Sequence, residues 1–223
     1  MISPVLLSEL TLPEHHPRAG EACVVFGFVI HHSDGPILVD SGVGTGRPDI
    51  DEGYLPIHHP IDKALADVGV HLADVTMVIN SHLHFDHCGN NHLFPGIPLV
   101  VQRAEYDLTH EPDYTIPEWI HFPGAEWTLV EGATEVMPGV KVFPTPGHTP
   151  GHQSVIVSGF EDVQVIAGQA VYDSGELTSE VSIEALSRVE AQMTSLSARA
   201  IKAANPNSVF FSHDANIWEA PGT

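Results

Sequence analysis

Basic residues are scarce in this chain: 8 lysines and arginines stand against 29 aspartates and glutamates, for a formal net charge of -21. The only lysines are Lys63, Lys141 and Lys202. So acidic a surface repels polyphosphate backbones and anionic headgroups, which argues against nucleic acid and membrane as partners. Cysteine is almost absent too, with Cys23 and Cys88 alone among 223 residues. Two cysteines do not make a disulfide scaffold. Both read as small buried side chains, and Cys88, which directly follows His87, is also weighed as a ligand. No apolar run is long enough to cross a bilayer, and the short apolar start Met1–Leu7 has no basic region before it. It does not read as a signal peptide, and the cytoplasm is the expected compartment. No composition break marks a linker. With 43% hydrophobic content the expectation is a single compact catalytic domain over residues 1–223.

Histidine, by contrast, is plentiful, and three imidazoles and one carboxylate crowd into Ser81-His82-Leu83-His84-Phe85-Asp86-His87. The apolar run Val75–Ile79 before it reads as a buried strand, and the polar run after it, closed by Gly89, as a strand-to-helix turn. His82 and His84 alternate by two, so an extended segment presents both to one side. Asp86 and His87 lie past the bend and can face a second ion. Four ligand-type side chains at this spacing are costly to bury unless they coordinate something. Imidazole with carboxylate suits zinc, one ion or two, and also manganese, iron or cobalt.

Two later stretches extend the pattern: Thr145-Pro146-Gly147-His148-Thr149-Pro150-Gly151-His152-Gln153-Ser154, and Phe210-Phe211-Ser212-His213-Asp214. Together with the HxHxDH segment they resemble the metallo-beta-lactamase superfamily. In their wording (SHLHFDH, TPGHTPGHQS, SHD) they resemble its N-acyl-homoserine lactonases. The likeness runs from about Phe26 to His213. It implies an α/β (α+β) fold of the αββα sandwich type and a metal site of His82, His84, Asp86, His87, His148 and His213. It further implies a metal-activated water attacking a lactone carbonyl. Tyr172 would donate a hydrogen bond to the developing oxyanion, and Asp86 would carry the proton to the leaving alkoxide. Asp40, at a strand end, either orients the metal shell or caps a glycine-rich turn. His152 is expected to hydrogen-bond behind the ligands rather than to ligate.

One departure stands out in Gly168-Gln169-Ala170-Val171-Tyr172. Where the family places a bridging aspartate, this chain has Gln169, neutral, one carbon longer and a poor bridging ligand, so metal affinity should fall. Asp173 lies too far along to replace it. The functions that follow are a lactonase acting on acyl-homoserine lactones or a related lactone or ester, or a thioester hydrolase resembling glyoxalase II. The latter family adds a basic C-terminal helical region, whereas this chain ends soon after His213. A third reading is a metal- or ligand-binding homologue weakened by Gln169. The acidity disfavours the nuclease branch. A small-molecule substrate is expected, and a homodimer stays open.

The remaining organisation reads as a hairpin, Cys23–Ile30 and Pro36–Val39, turning at Ser33-Asp34-Gly35, a helix at Ile61–Val68 and strands at Pro138–Pro144, Ser154–Ser158, Val163–Ala167 and Ser208–Ser212. A longer helix, Ile183–Ala203, is expected to bury a stripe of Ile183, Leu186, Val189, Met193, Leu196 and Ala200. Gly42–Pro60 and Glu111–Trp127 read as irregular lids whose aromatics seal them onto the body or wall an apolar pocket. His15, His16, His31, His32, His71, His92, His110 and His121 match no ligand motif and read as surface or capping residues.

Overall fold

The computed structural model describes residues 1–14, 16, 18–159, 162–178 and 188–220. It is a mixed α/β structure with two sheets. In chain order the first elements are β1 (Ile2–Thr11), β2 (Ala22–Ile30), β3 (Ile37–Val39), α1 (Pro48–Tyr54), β4 (Ile57–His58), α2 (Ile61–Asp67), β5 (Met77–Ile79), α3 (Phe85–Cys88), β6 (Pro98–Gln102), α4 (Arg103–Asp107), α5 (Pro117–Ile120) and β7 (Glu126–Val130). There follow β8 (Thr134–Met137), β9 (Val140–Pro144), β10 (Gln153–Ser158), β11 (Val163–Gly168), α6 (Ser174–Thr178), α7 (Arg188–Ala203), β12 (Ser208–Phe211) and β13 (Asp214–Glu219). The chain divides into two compact units, Met1–Val100 with Thr109–Thr128 and Val101–Leu108 with Leu129–Thr223. Among the described residues no helix is long and apolar enough to cross a membrane.

The first sheet runs β4-β1-β2-β3-β5-β6-β7. Strands β3 and β5 are short apolar runs, Ile37-Leu38-Val39 and Met77-Val78-Ile79, buried at every position. Continuous rather than alternating hydrophobicity is what a parallel strand covered on both faces requires, and the two pair in parallel with Val39 opposite Ile79. Their ends are therefore level, and the chain leaves the sheet at Asp40 and Asn80 side by side, with the Asp40 N–H donating to Ile79 O at 2.9 Å. Ile61 and Leu65 of α2 pack with Val5, Leu7, Val29, Leu38, Val78 and Leu99 in the core of this unit. Each such side chain contributes about 1.5–3 kcal/mol on full burial.

The second sheet runs β13-β12-β11-β10-β9-β8. Its one parallel pair is β11 with β12, where Gly168 lies opposite Phe211. The same levelling of strand ends results: the chain leaves at Gln169 and at Ser212, and Ser212 N donates to Gly168 O at 3.1 Å.

The expected hairpin is present as β2 and β3, paired antiparallel, and the expected helix as α2. The long helix is seen as α7, but its expected stripe is wrong. Val189 is 70% exposed and Leu196 48%, and Ala200 is also exposed, while Thr194, Ser197, Ala198 and Ile201 are buried. Ile183 and Leu186 lie outside the described residues. The buried face packs Ala198 and Ile201 against Val165, Ala167, Leu177, Val209 and Phe211, and it also carries Ser197, whose Oγ donates to Pro146 O at 2.6 Å. The two lids carry regular structure: the first holds α1 and β4, and the second holds α5 and the start of β7. Strands β1, β6, β8 and β13 were not expected.

Candidate metal centre

In the first unit the turn after β5 delivers His82, His84, Asp86 and His87. The ring centroids of His82 lie 4.7 Å from His84 and 4.0 Å from His87, so the three imidazoles cluster. Asp40, fully buried, is the hub beneath them. Its Oδ1 accepts from Ser81 N at 2.7 Å, and its Oδ2 accepts from Ser81 Oγ at 2.7 Å and from His87 Nδ1 at 2.9 Å. The Ser81 hydroxyl has one proton and gives it to Asp40, so Ser81 Oγ meets His82 Nδ1, 3.1 Å away, as an acceptor. Both His82 and His87 thus carry a proton on Nδ1, which leaves Nε2 of each as the nitrogen that could face an ion. Of the two readings of Asp40, the structure selects the orienting one.

Charge in this unit is uneven. Burial pushes the His84 imidazole down to about 4, against the pull of Asp86. His87 goes the other way. Burial disfavours its charge, but Asp86 and Asp40, with the hydrogen bonds to both, outweigh that and raise it to about 10. Its Nε2 lies 3.4 Å from Asp86 Oδ2. Burial and the Asp86 charge also raise Tyr54, whose ring centroid is 4.5 Å from that of Phe85.

The turn is closed by a polar net that the sequence did not advertise. Asn91 Nδ2 donates to Asn80 Oδ1 at 2.9 Å, Ser41 Oγ to Asn91 Oδ1 at 2.8 Å, and Asn80 Nδ2 to His87 O at 3.1 Å. Gly89 allows backbone contact, its N–H donating to Gly42 O at 2.9 Å, and a Cβ there would collide with the backbone N of Gly44. Cys88 is buried, and its Sγ donates to the carbonyls of Leu83 and His84 at 3.5 and 3.3 Å, which engages it with the turn and not as a ligand.

In the second unit, His148 rides the loop between β9 and β10, and His213 follows β12. The Tyr172 ring stacks on His213, with centroids 5.1 Å apart and planes 27° apart. His152 is buried and receives the Gln169 N–H on Nε2 at 3.1 Å. Its Nδ1–H is then the donor to Thr145 Oγ1 at 2.9 Å. Thr145 donates on to Ser154 Oγ at 2.7 Å, and Ser154 to Ala167 O at 3.0 Å. Both nitrogens are committed, so His152 supports the loop as expected. Asp173 Oδ1 accepts from Glu176 N at 2.9 Å at the start of α6.

Among the other histidines, His31, His71, His92, His110 and His121 are exposed, His16 and His32 are half-buried, and His15 lies outside the described residues. Candidate metal groups draw their donors only from His82, His84, Asp86 and His87 of the first unit and His148 and His213 of the second, among the described residues.

Residues 20–213 match the sequence model of the metallo-beta-lactamase superfamily. The chain belongs to the metallo-beta-lactamase superfamily. This superfamily member is 33% identical over 203 residues to an N-acyl homoserine lactonase of Bacillus sp, the match covering 85% of this chain and 81% of that one. It is 37% identical over 145 residues to an N-acyl homoserine lactonase of Bacillus cereus, covering 60% of this chain and 58% of the relative, which is less than two thirds of that relative's length. A solved N-acyl homoserine lactone hydrolase, with the product N-hexanoyl-L-homoserine bound at its catalytic metal center, shares 28% sequence identity at a TM-score of 0.76, over 96% of this chain and 92% of the other. The two sheets and their helices match the metallo-beta-lactamase fold. The chain is a lactonase-like member of this hydrolase superfamily.

Proposed function

We propose that this chain is a metal-dependent hydrolase that opens N-acyl-homoserine lactones or a related lactone or ester in the cytoplasm. The observation that carries the reading is the Asp40 hub, one buried carboxylate that turns the Nε2 of both His82 and His87 into donors, alongside relatives that are lactonases. The donor set is nitrogen-rich with one carboxylate, which fits zinc best and accommodates manganese, iron or cobalt. His82, His84 and His148 would hold one ion, and Asp86, His87 and His213 the other. Zinc, when bound, supplies Lewis acidity to a carbonyl and acidity to water.

The chain's own groups then divide the work. Tyr172, its ring set by the stack on His213, donates its phenolic hydrogen to the oxygen that gains charge as the lactone opens. Asp86 takes up the proton given up by the water that attacks the carbonyl and passes it to the leaving alkoxide. Gln169 contributes no charge, so the second set relies on Asp86, and it binds its ion more weakly than a set with a bridging carboxylate.

The test is ring opening of short- and long-chain acyl-homoserine lactones by zinc- or manganese-loaded protein, followed as acid release at constant pH. Turnover abolished by a chelator supports the lactonase reading. A protein that binds metal yet is silent on lactones and thioesters, and gains turnover only as Gln169→Asp, is a weakened homologue, and the reading fails. Turnover of thioesters alone moves the chain to the glyoxalase II-like alternative.

A further inference from the structure

The loop that carries His148 is gripped by polar contacts that the proposed chemistry does not use. From α7, Ser197 Oγ donates to Pro146 O, and Thr194 packs so closely on Gly147 that a Cβ there would stand 2.6 Å from Thr194 Oγ1. From α4 comes Glu105, with no exposed surface, whose Oε2 accepts from Thr149 Oγ1 at 2.7 Å. Gly151 permits this approach, because a Cβ at that position would collide with the Glu105 backbone. The residue that leads into α4 meets the strand that follows the loop: Gln102 Nε2 donates to Gln153 Oε1, at the start of β10, at 2.9 Å, and Gln102 is itself clasped to the Gly132 backbone through both ends of its amide.

Packing does not account for Glu105. A buried carboxyl group is costly where an aliphatic side chain of similar volume would fill the space, and evolution has other ways to anchor a loop. Its partner is the residue directly after His148, so the bond fixes the backbone from which the imidazole projects. We propose that Glu105 is a positioning residue for His148: through the Thr149 hydroxyl it holds the loop in the one arrangement that presents this imidazole to an ion. The inference rests on the reading of His148 as a metal ligand. Supporting groups of this kind change metal affinity by about 10- to 100-fold when removed.

The test compares zinc affinity, by competition with a chromophoric chelator, and the visible spectrum of the cobalt-loaded protein across a set of full-length variants. Thr149→Val deletes the donor at nearly constant shape, Glu105→Ala deletes the acceptor, and Glu105→Gln keeps an oxygen that can accept from Thr149. Expected is an affinity loss of about 10- to 100-fold with an altered cobalt spectrum for Thr149→Val and Glu105→Ala. The double variant should lose no more than either alone, because the two residues act as one pair. Glu105→Gln should stay near the parent in affinity and spectrum. If Glu105→Ala does not fold, Thr149→Val against Glu105→Gln decides. Unchanged affinity in Thr149→Val, additive losses, or a Glu105→Gln as weak as Thr149→Val overturns the inference. His148→Ala separates the two claims: if that variant binds zinc like the parent, it is the ligand assignment that fails.

Discussion

Exchanging Asp40 for asparagine should disarm two ligands with a single atom. The backbone at Asp40 has a φ of 60°. Asparagine accepts that left-handed conformation at least as well as aspartate, so the main chain is not the variable. The amide oxygen stays on the Ser81 N–H, now at 2.7 Å, which leaves the NH2 facing Ser81 Oγ and His87 Nδ1, 2.7 and 2.9 Å away. An NH2 group only donates. His87 must accept on Nδ1, which leaves its proton on Nε2, while Ser81, now an acceptor of the amide, turns its own proton to His82 Nδ1 and moves the His82 proton to Nε2. Each ion then meets an N–H where it needs a lone pair. Loss of a supporting hydrogen bond to one ligand costs about 10- to 100-fold in metal affinity, or about 1.4–2.7 kcal/mol, and here two ligands share the loss. Zinc competition titrations on parent and variant, with long-range 1H–15N spectra of the histidine rings, measure both halves of the argument. Equal affinity, or an unprotonated His82 Nε2 in both proteins, would refute it. Circular dichroism of the variant should match the parent.

Metal binding at neutral pH should release about one proton from His87, raised to about 10, and none from His84, lowered to about 4. Calorimetry in buffers of different ionisation heat counts it, and a count of zero contradicts the charge assignment. The same two groups shape the stability of the metal-free protein. The His87 contribution is fully present below the unfolded value of about 6.5 and is lost as pH rises through 10. That of His84, whose folded value is depressed, is lost as pH falls from about 6.5 towards 4. Urea unfolding against pH should therefore peak near 6–7. Tyr172→Phe keeps the stack on His213 and removes the donor, so kcat should fall about a hundredfold with KM little changed. Unaltered kcat assigns the oxyanion contact elsewhere. Gly89→Ala should cost about 1–3 kcal/mol in urea unfolding, because its Cβ meets the backbone of Gly44 and Gly42. A change below about 0.5 kcal/mol would mean that the turn yields readily.

The proposed ligands of the first unit could be read from the sequence because they are local: His82, His84, Asp86 and His87 sit within one turn, and alternation by two gives His82 and His84 a shared direction. What orients them was legible only in part, since the resemblance raised Asp40 but left a turn-capping role open, and nothing raised Glu105. Asp40 and His87 are 47 positions apart, and Glu105 and Thr149 are 44 apart, so no spacing rule links either pair. The α7 stripe failed for a related reason. Helical periodicity finds the most apolar face, but the buried face mixes Ala198 and Ile201 of the core with Thr194 and Ser197, which meet a glycine and a loop carbonyl far away in the chain. Strands β3 and β5 were found because both-sided burial leaves an unbroken apolar word. Strand β13, with its half-buried and exposed residues, leaves none.

The contact between Gln169 and His152 is made by the backbone, not by the glutamine side chain. Whatever residue occupies position 169 is held to the same support, behind which Thr145, Ser154 and the Ala167 carbonyl complete a chain of hydrogen bonds indifferent to that residue's identity. The position behaves as a socket. The side chain at 169 can be exchanged, and its charge with it, without rebuilding the strand end, so the chemistry can diverge while the fold stays as it is.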